Sequence, residues 1–510
     1  MAKAILILHL IAIFVALILA LPILKTGSFS TFYSTDPDVH YVSNSLSYLQ
    51  SKVIAYNNHP GTPAIVLISI FLLPLRIYVE LLKHSQFIDW SFLNINFVYY
   101  FIRLSHSVLL GSSVLLFLIA VYKFSKSLVT TCFTCLSLLV YTAFPYLATT
   151  ISAEGTLFFV TCLWLLVFTF YMKSRSKTTS FLLVVISAVA LATKFTSMPL
   201  TIASIILYVF VPKTTLKQKL EKIVQSSLII LLVFIFCTWP IRTTYSRMFQ
   251  WLTYLATTTE THGGGTNAIF NLSSYLQSTT GLIARETWAA LISVYSIVGI
   301  MLIIARKKHL PNIPLLILVG STLVSMLIIA KYPLSYYQVV TYTLLVFLAS
   351  FSFNLLPKVT QIALLVVLIL PAVANVENSN NTILRAAKKT TALETYIREH
   401  PPRIVTLWVW GRSRDFSLLW TRDWASGHFS SQLTKYRPNL LELEPNFDFV
   451  NIDGRNRKPV FSVCWDQLYL PQASASDFVA KYPQKHLKTT ALPETDDMAL
   501  IESNHCLTKP

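Results

Sequence analysis

Long apolar runs dominate the chain. They fall at roughly 4–23, 98–122, 127–149, 154–172, 180–193, 196–212, 223–241, 286–305, 312–330, 336–353 and 359–374. A helix needs about 20 apolar residues to cross the hydrocarbon core of a bilayer. The pattern therefore predicts a polytopic α-helical membrane protein with about eleven transmembrane helices. Segment 180–212 is a pair of short spans around Lys194, Thr196 and Ser197. No internal repeat is visible.

The segment 64–83 differs from the others. Its uninterrupted apolar run, Ala64 to Leu75, contains only about twelve residues, too few to span. Pro74 interrupts it, and Arg76, Glu80 and Lys83 follow. Before it, Val42, Leu46, Leu49 and Val53 recur at helical spacing. Ser43, Asn44, Ser47, Gln50 and Lys52 occupy the opposite face. That periodicity predicts an amphipathic helix lying in the interface.

After residue 374 the pattern changes. A polar helix-like stretch, Ile383 to His400, leads into a buried-strand pattern, Arg403 to Trp410. Strand-like runs follow at Phe447–Ile452 and Pro459–Cys464. The tail, 375–510, reads as a small soluble α/β domain behind a membrane domain, 1–374.

Composition sharpens the class. Of 510 residues, 54% are hydrophobic and 13% charged, and mean hydropathy is +0.58. Soluble domains carry nearer 25% charge. Disordered and fibrous classes are excluded as well. Residues 1–374 hold 24 basic against 8 acidic residues, and residues 375–510 hold 17 against 15. The excess positive charge lies in short clusters between apolar runs, so it is no nucleic-acid footprint.

Charge also sets the expected topology. With the N-terminus in the cytoplasm and 64–83 not spanning, 14 of those 24 basic residues fall in cytoplasmic loops. If 64–83 spanned, every later cluster would face outward, against the positive-inside rule. The first loop (24–97), a turn at Ser152–Glu154, the loop 242–285 and the tail are then expected on the outer face. Cys464 and Cys506 lie in the tail and can pair in an oxidising compartment. The other four cysteines sit in apolar runs and read as packing residues.

Acids are scarce in the membrane part, and acids near apolar helices are costly and often functional. Asp36, Asp38, Glu154 and Glu260 all fall on the expected outer side, next to helix ends. Asp38 can cap the helix after it, or act as a carboxylate that accepts a proton or binds a cation. His59-Pro60-Gly61-Thr62-Pro63 makes a rigid turn into the next helix. His59 there can meet a lipid phosphate. Lys194 either snorkels to the interface or binds phosphate. Glu260-Thr261-His262-Gly263-Gly264-Gly265 is a polar stretch suited either to a plain flexible loop or to one that orders on a ligand. Lys331-Tyr332, with Tyr336-Tyr337 close by, opens another outer loop, and interface anchoring is the favoured reading of these aromatics.

In this order the residues resemble the GT-C superfamily of integral-membrane glycosyltransferases. Its members include dolichyl-phosphate-mannose protein mannosyltransferases, bacterial aminoarabinose transferases and oligosaccharyltransferase catalytic subunits. The matching elements are the acidic motif with its aromatic, Asp36-Pro37-Asp38-Val39-His40-Tyr41, then His59-Pro60-Gly61 and Arg103. Glu154, Thr193-Lys194, His262 and Lys331-Tyr332 follow. The resemblance covers about residues 1–350. Where many members carry Asp-Glu, this chain has Asp36-Pro37-Asp38, and Asp38 keeps the acid-x-x-Tyr spacing to Tyr41.

The resemblance implies a polyprenyl-phosphate-linked sugar as donor and a protein, lipid or glycan as acceptor. It implies transfer of a hexosyl or pentosyl group at the outer or lumenal face of a plasma membrane or endoplasmic reticulum, with inversion. Asp38, with Asp36 and Glu154 as the other candidates, would supply the catalytic carboxylate. His59, Arg103, Lys194, His262, Lys331 and Tyr332 would bind substrate. Family members differ on metal dependence, and Asp38 and Glu154 can share a divalent cation. A lipid-linked-sugar flippase or other transporter is the main alternative, but it calls for charges at mid-membrane rather than at helix ends.

Overall fold

The computed structural model describes residues 2–27, 38–54, 61–210, 215–257, 277, 280–281, 283–284, 286–305, 313–329, 334–409, 435–436, 440–443, 446–451, 457–492, 494–495 and 498–504. The helices used below are, in chain order, α1 (Ala2–Thr26), α2 (Asp38–Ser51), α3 (Thr62–Leu82), α4 (Phe87–Leu93), α5 (Ile95–Ser125) and α6 (Leu128–Leu139). They continue with α7 (Ala143–Thr149), α8 (Ala153–Ser174), α9 (Lys177–Thr193), α10 (Met198–Val209), α11 (Leu216–Thr238) and α12 (Tyr245–Thr257). The last are α13 (Thr287–Ala305), α14 (Ile313–Ile329), α15 (Val339–Asn354), α16 (Lys358–Glu399) and α17 (Gln472–Lys481).

Each of the eleven expected segments coincides with an apolar helix or helix pair. Seven described helices are long and apolar enough to cross a membrane by length and composition. The pair α6–α7, bent by 73° at its break, makes an eighth if counted as one span. Segments 177–193, 195–209, 287–301 and 313–329 form shorter apolar helices.

One of the seven is α3, expected to be too short. The helix runs for 21 residues with Pro74 inside it. Arg76 and Glu80, which end the apolar run in the sequence, form an i,i+4 ion pair of 2.9 Å on the helix. The argument from length is thereby removed, and charge alone favours an interfacial placement.

The chain divides into two compact units. The first comprises residues 1–21, 57–67 and 104–379, and the second comprises 22–56, 68–103 and 380–510. The charge break near residue 375 falls inside the continuous α16, and the tail shares its unit with much of the first loop.

The core of the first unit is mostly aliphatic, with aromatic rings stacked within it. Phe124 stacks on Phe351 and Phe133 on Phe353, both at 4.0 Å between ring centroids. Trp164 stacks on Phe168 at 5.2 Å and donates its indole N–H to Ser204 Oγ. Apolar surface gives no net drive between helices in lipid, so close approach of backbones matters there. A Cβ at Gly111 of α5 would lie 2.6 Å from the Cβ of Ala16 on α1, so only glycine permits that contact.

In the second unit, α2 departs from its amphipathic pattern. Val42, Leu46 and Leu49 are buried as expected, but so are Ser43, Asn44, Ser45 and Ser47. The serines of this face are satisfied internally, while the side-chain oxygen of Asn44 has no partner among the described residues. Ser45 donates to the Tyr41 carbonyl at 2.7 Å, Ser47 to the Val53 carbonyl at 3.2 Å, and Ser69 of α3 to the Ser45 carbonyl at 3.2 Å. The correction has a simple cause. Serines return their hydroxyls to nearby backbone, so a serine-rich face need not be a wet one.

The tail forms a seven-stranded mixed sheet. Its strands are β1 (Thr406–Val409), β2 (Leu440–Leu443), β3 (Phe449–Asn451), β4 (Arg457–Pro459), β5 (Gln467–Pro471), β6 (Lys488–Ala491) and β7 (Met498–Glu502). Their order is β4-β3-β2-β1-β5-β7-β6. β1 pairs in parallel with β2 and β5, and the outer pairs are antiparallel. Leu407, Leu443, Val450, Trp465, Leu468, Phe478 and Ile501 form its core. The strand expected at Pro459–Cys464 is instead the end of β4 followed by a 3₁₀ turn, Val460–Ser462. Cys464 is disulfide-bonded, and Cys506 lies outside the described residues.

Buried Asp466 holds the start of β1. Its carboxylate accepts the backbone amides of Arg403, Ile404 and Val405. Replacing it removes the acceptor of three part-buried amides at once. Asp466→Ala is expected to destabilise the second unit by about 3 kcal/mol, read as a lower midpoint of thermal unfolding in detergent. An unchanged midpoint would refute this role.

Candidate active site

Two buried ion pairs, one in each unit, join residues singled out in the sequence. In the second unit, Asp38 opens α2, in the first turn where the helix dipole favours an anion. Arg103 reaches it from α5, with Nη2 2.9 Å from Oδ2 and side-chain exposures of 1% and 0%. The guanidinium also lies 5.5 Å from the centroid of the Tyr99 ring, one helical turn earlier. Tyr41, one turn past Asp38, is buried. The sequence offered Arg103 as a cation for a substrate phosphate. In the structure its charge is met by Asp38.

In the first unit, Glu154 lies in the first turn of α8 and is buried. Lys194 stands where α9 ends and a 3₁₀ turn begins. Its extended backbone (φ −162°, ψ 136°) breaks the helix there. Its ammonium pairs with Glu154 and lies 4.0 Å from the centroid of the Tyr337 ring. With 21% exposure, the side chain is not simply snorkelling to water. Tyr337 belongs to the 3₁₀ turn Ser335–Gln338, so it contacts the cation rather than serving only as an interface anchor. Tyr336 of the same turn stacks on Tyr146 of α7 at 5.6 Å.

Close to this pair in the sequence, three buried hydroxyls find no hydrogen-bond partner among the described residues. They belong to Thr150, just before α8, Thr156, in its second turn, and Thr196, two residues after Lys194. Buried polar atoms are nearly always hydrogen-bonded, so an unsatisfied cluster calls for an explanation.

Sequence reading gave no role to Glu286. It is buried immediately before α13 and accepts the backbone amide of Thr142 at 3.2 Å and the Thr142 hydroxyl. Thr142 lies in the break between α6 and α7. The signal was present in the sequence, as a lone acid opening a long apolar run, but its partner lies 144 residues away.

Asp36, His59, Glu260, His262, Lys331 and Tyr332 lie outside the described residues. For a shared divalent ion, the donor set is unfavourable. Asp38 and Glu154 are each already neutralised by a cation, and among the described residues no group of three or more His, Cys, Asp or Glu is placed to hold a metal. A cleft of about 550 Å³ in the second unit is lined by Leu49, Arg76, Glu80, His84 and Asp89 among others, and holds none of the nominated residues.

By the length and apolar character of its helices, the chain is a polytopic α-helical membrane protein. Two solved structures share its fold. The crystal structure of ArnT from Cupriavidus metallidurans bound to undecaprenyl phosphate is similar over 98% of this chain and 99% of that one, with a TM-score of 0.59 and 11% identity. The apo structure of the same protein is similar over 96% and 97%, with a TM-score of 0.56 and 12% identity. No protein-family model matches the chain, and no curated protein matches it significantly.

Removing one partner of a buried pair leaves the other charge uncompensated. Arg103→Ala is expected to cost about 3–5 kcal/mol. Arg103→Ala combined with Asp38→Ala should recover part of that loss. Thermal unfolding in detergent measures both, and a double variant no more stable than the single one would refute the pairing.

Proposed function

We propose that the protein is a membrane glycosyltransferase that moves a sugar from a polyprenyl-phosphate donor to an acceptor at the outer or lumenal face. One observation carries this reading beyond the fold: Lys194 is held between Glu154 and Tyr337, and three buried hydroxyls close to the pair in sequence have no hydrogen-bond partner among the described residues. That set matches a phosphate. An ammonium has three donors, and Glu154 uses one of them. Thr150, Thr156 and Thr196 offer hydroxyls to phosphate oxygens. The undecaprenyl phosphate bound to ArnT supports a polyprenyl chain on the donor.

The chemistry is a single displacement. The acceptor's hydroxyl or amide attacks the anomeric carbon from the side opposite the phosphate. The bond from that carbon to the phosphate oxygen breaks, and its electron pair leaves with the polyprenyl phosphate. Attack from the opposite side inverts the centre. The acceptor's proton passes to Asp38, which its Arg103 partner orients. Lys194 stabilises the charge gathering on the leaving phosphate. Displacement on a lipid phosphate also accounts for a site at the membrane surface, with the N-terminus cytoplasmic and the tail outside.

Transfer from a panel of short-chain polyprenyl-phosphate sugars tests the proposal. Asp38→Asn, which keeps the shape of the side chain, is expected to lower kcat by roughly 10²–10⁴-fold. Lys194→Ala is expected to raise KM for the donor by about tenfold or more. Full activity in Asp38→Asn would remove Asp38 as the base. Absence of transfer by the wild type from every donor would refute the enzyme reading.

A further inference from the structure

Glu286 is a buried carboxylate for which the reaction above has no use. Among the described residues its hydrogen-bond partners are the amide and hydroxyl of Thr142, both neutral. Burying a carboxyl group in an apolar protein is expensive, so an acid kept in such a place marks a constraint.

The contacts leading from it run toward Lys194. Thr142 sits in the 73° break between α6 and α7. Its neighbour Tyr141 donates its hydroxyl to the carbonyl of Ser335 and stacks on Tyr342 at 4.4 Å. Tyr342 in turn donates to the Ser137 carbonyl of α6 at 2.7 Å. Ser335 begins the turn that carries Tyr336 and Tyr337. Tyr336 leans on Tyr146 of α7, and the ring of Tyr337 meets the Lys194 ammonium. The break is thus fixed from one side by Glu286, and the turn facing Lys194 is fixed to the break.

We infer that Glu286 is a positioning residue that sets the place of Lys194 through Thr142, Tyr141 and the Ser335–Gln338 turn. Glu286 touches no reacting atom. It ties the break so that the Tyr337 ring stays against the ammonium, leaving Lys194 only its place between that ring and Glu154. This rests on the reading of Lys194 as the phosphate ligand.

A double-mutant cycle tests it, with Kd for a short-chain polyprenyl phosphate measured directly on the purified full chain. Glu286→Ala is expected to weaken binding by about tenfold. In a Lys194→Ala background the same change should have almost no further effect, because its route to the phosphate is gone. Glu286→Gln, which still accepts from Thr142, should restore most of the binding lost in Glu286→Ala. If Glu286→Ala does not fold, Thr142→Val and Tyr337→Leu interrupt the same route and should show the same non-additivity with Lys194→Ala. Additive losses, or binding unchanged in Glu286→Ala, would overturn the inference and leave the phosphate reading intact. A wild type that binds no polyprenyl phosphate would overturn both.

Discussion

A carboxylate taken out of water inside an apolar protein must find compensation, and this chain buries three of them among its described membrane-part residues. Asp38 has Arg103, Glu154 has Lys194, and Glu286 has the amide and hydroxyl of Thr142. The cost of burying an ion is several kcal/mol even after relaxation. Each compensating group must therefore arrive from a distant part of the chain in a fixed geometry. Asp38 draws on α5, Glu154 on the junction after α9, and Glu286 on the break between α6 and α7. Those demands place the breaks and helix ends where chemistry is possible.

The helices follow from the sequence, since apolar runs of this length leave few other structures that satisfy their backbone. The nominated acids Asp38 and Glu154 could also be read there, because charge is scarce in this part of the chain. Their partners were harder to assign. Arg103 was read as a substrate cation and Lys194 as either a snorkelling or a phosphate-binding one, and nothing local in the chain shows that they meet Asp38, 65 positions away, and Glu154, 40 positions away. Glu286 was passed over for the same reason. The face of α2 was misjudged because serine periodicity looks the same whether the hydroxyls meet water or backbone. In the tail, strands as short as three to five residues carry too little periodicity to be separated from turns.

The two pairs also differ in a way that suits their proposed roles. Asp38 and Arg103 are both buried, which fixes the orientation of the proposed base. Lys194 keeps partial exposure, a ring beside it and unsatisfied hydroxyls close in sequence, as a group that exchanges contacts with a ligand requires. A preorganised cation beside a leaving phosphate needs little rearrangement during the reaction, and this is where electrostatic catalysis gains most.

The most direct measurement is an experimental structure of the protein with a short-chain polyprenyl phosphate bound. The account expects the phosphate within hydrogen-bonding distance of the Lys194 ammonium, with the hydroxyls of Thr150, Thr156 or Thr196 on its oxygens. A phosphate bound elsewhere, with Lys194 still closed on Glu154 and those hydroxyls unmet, would contradict it.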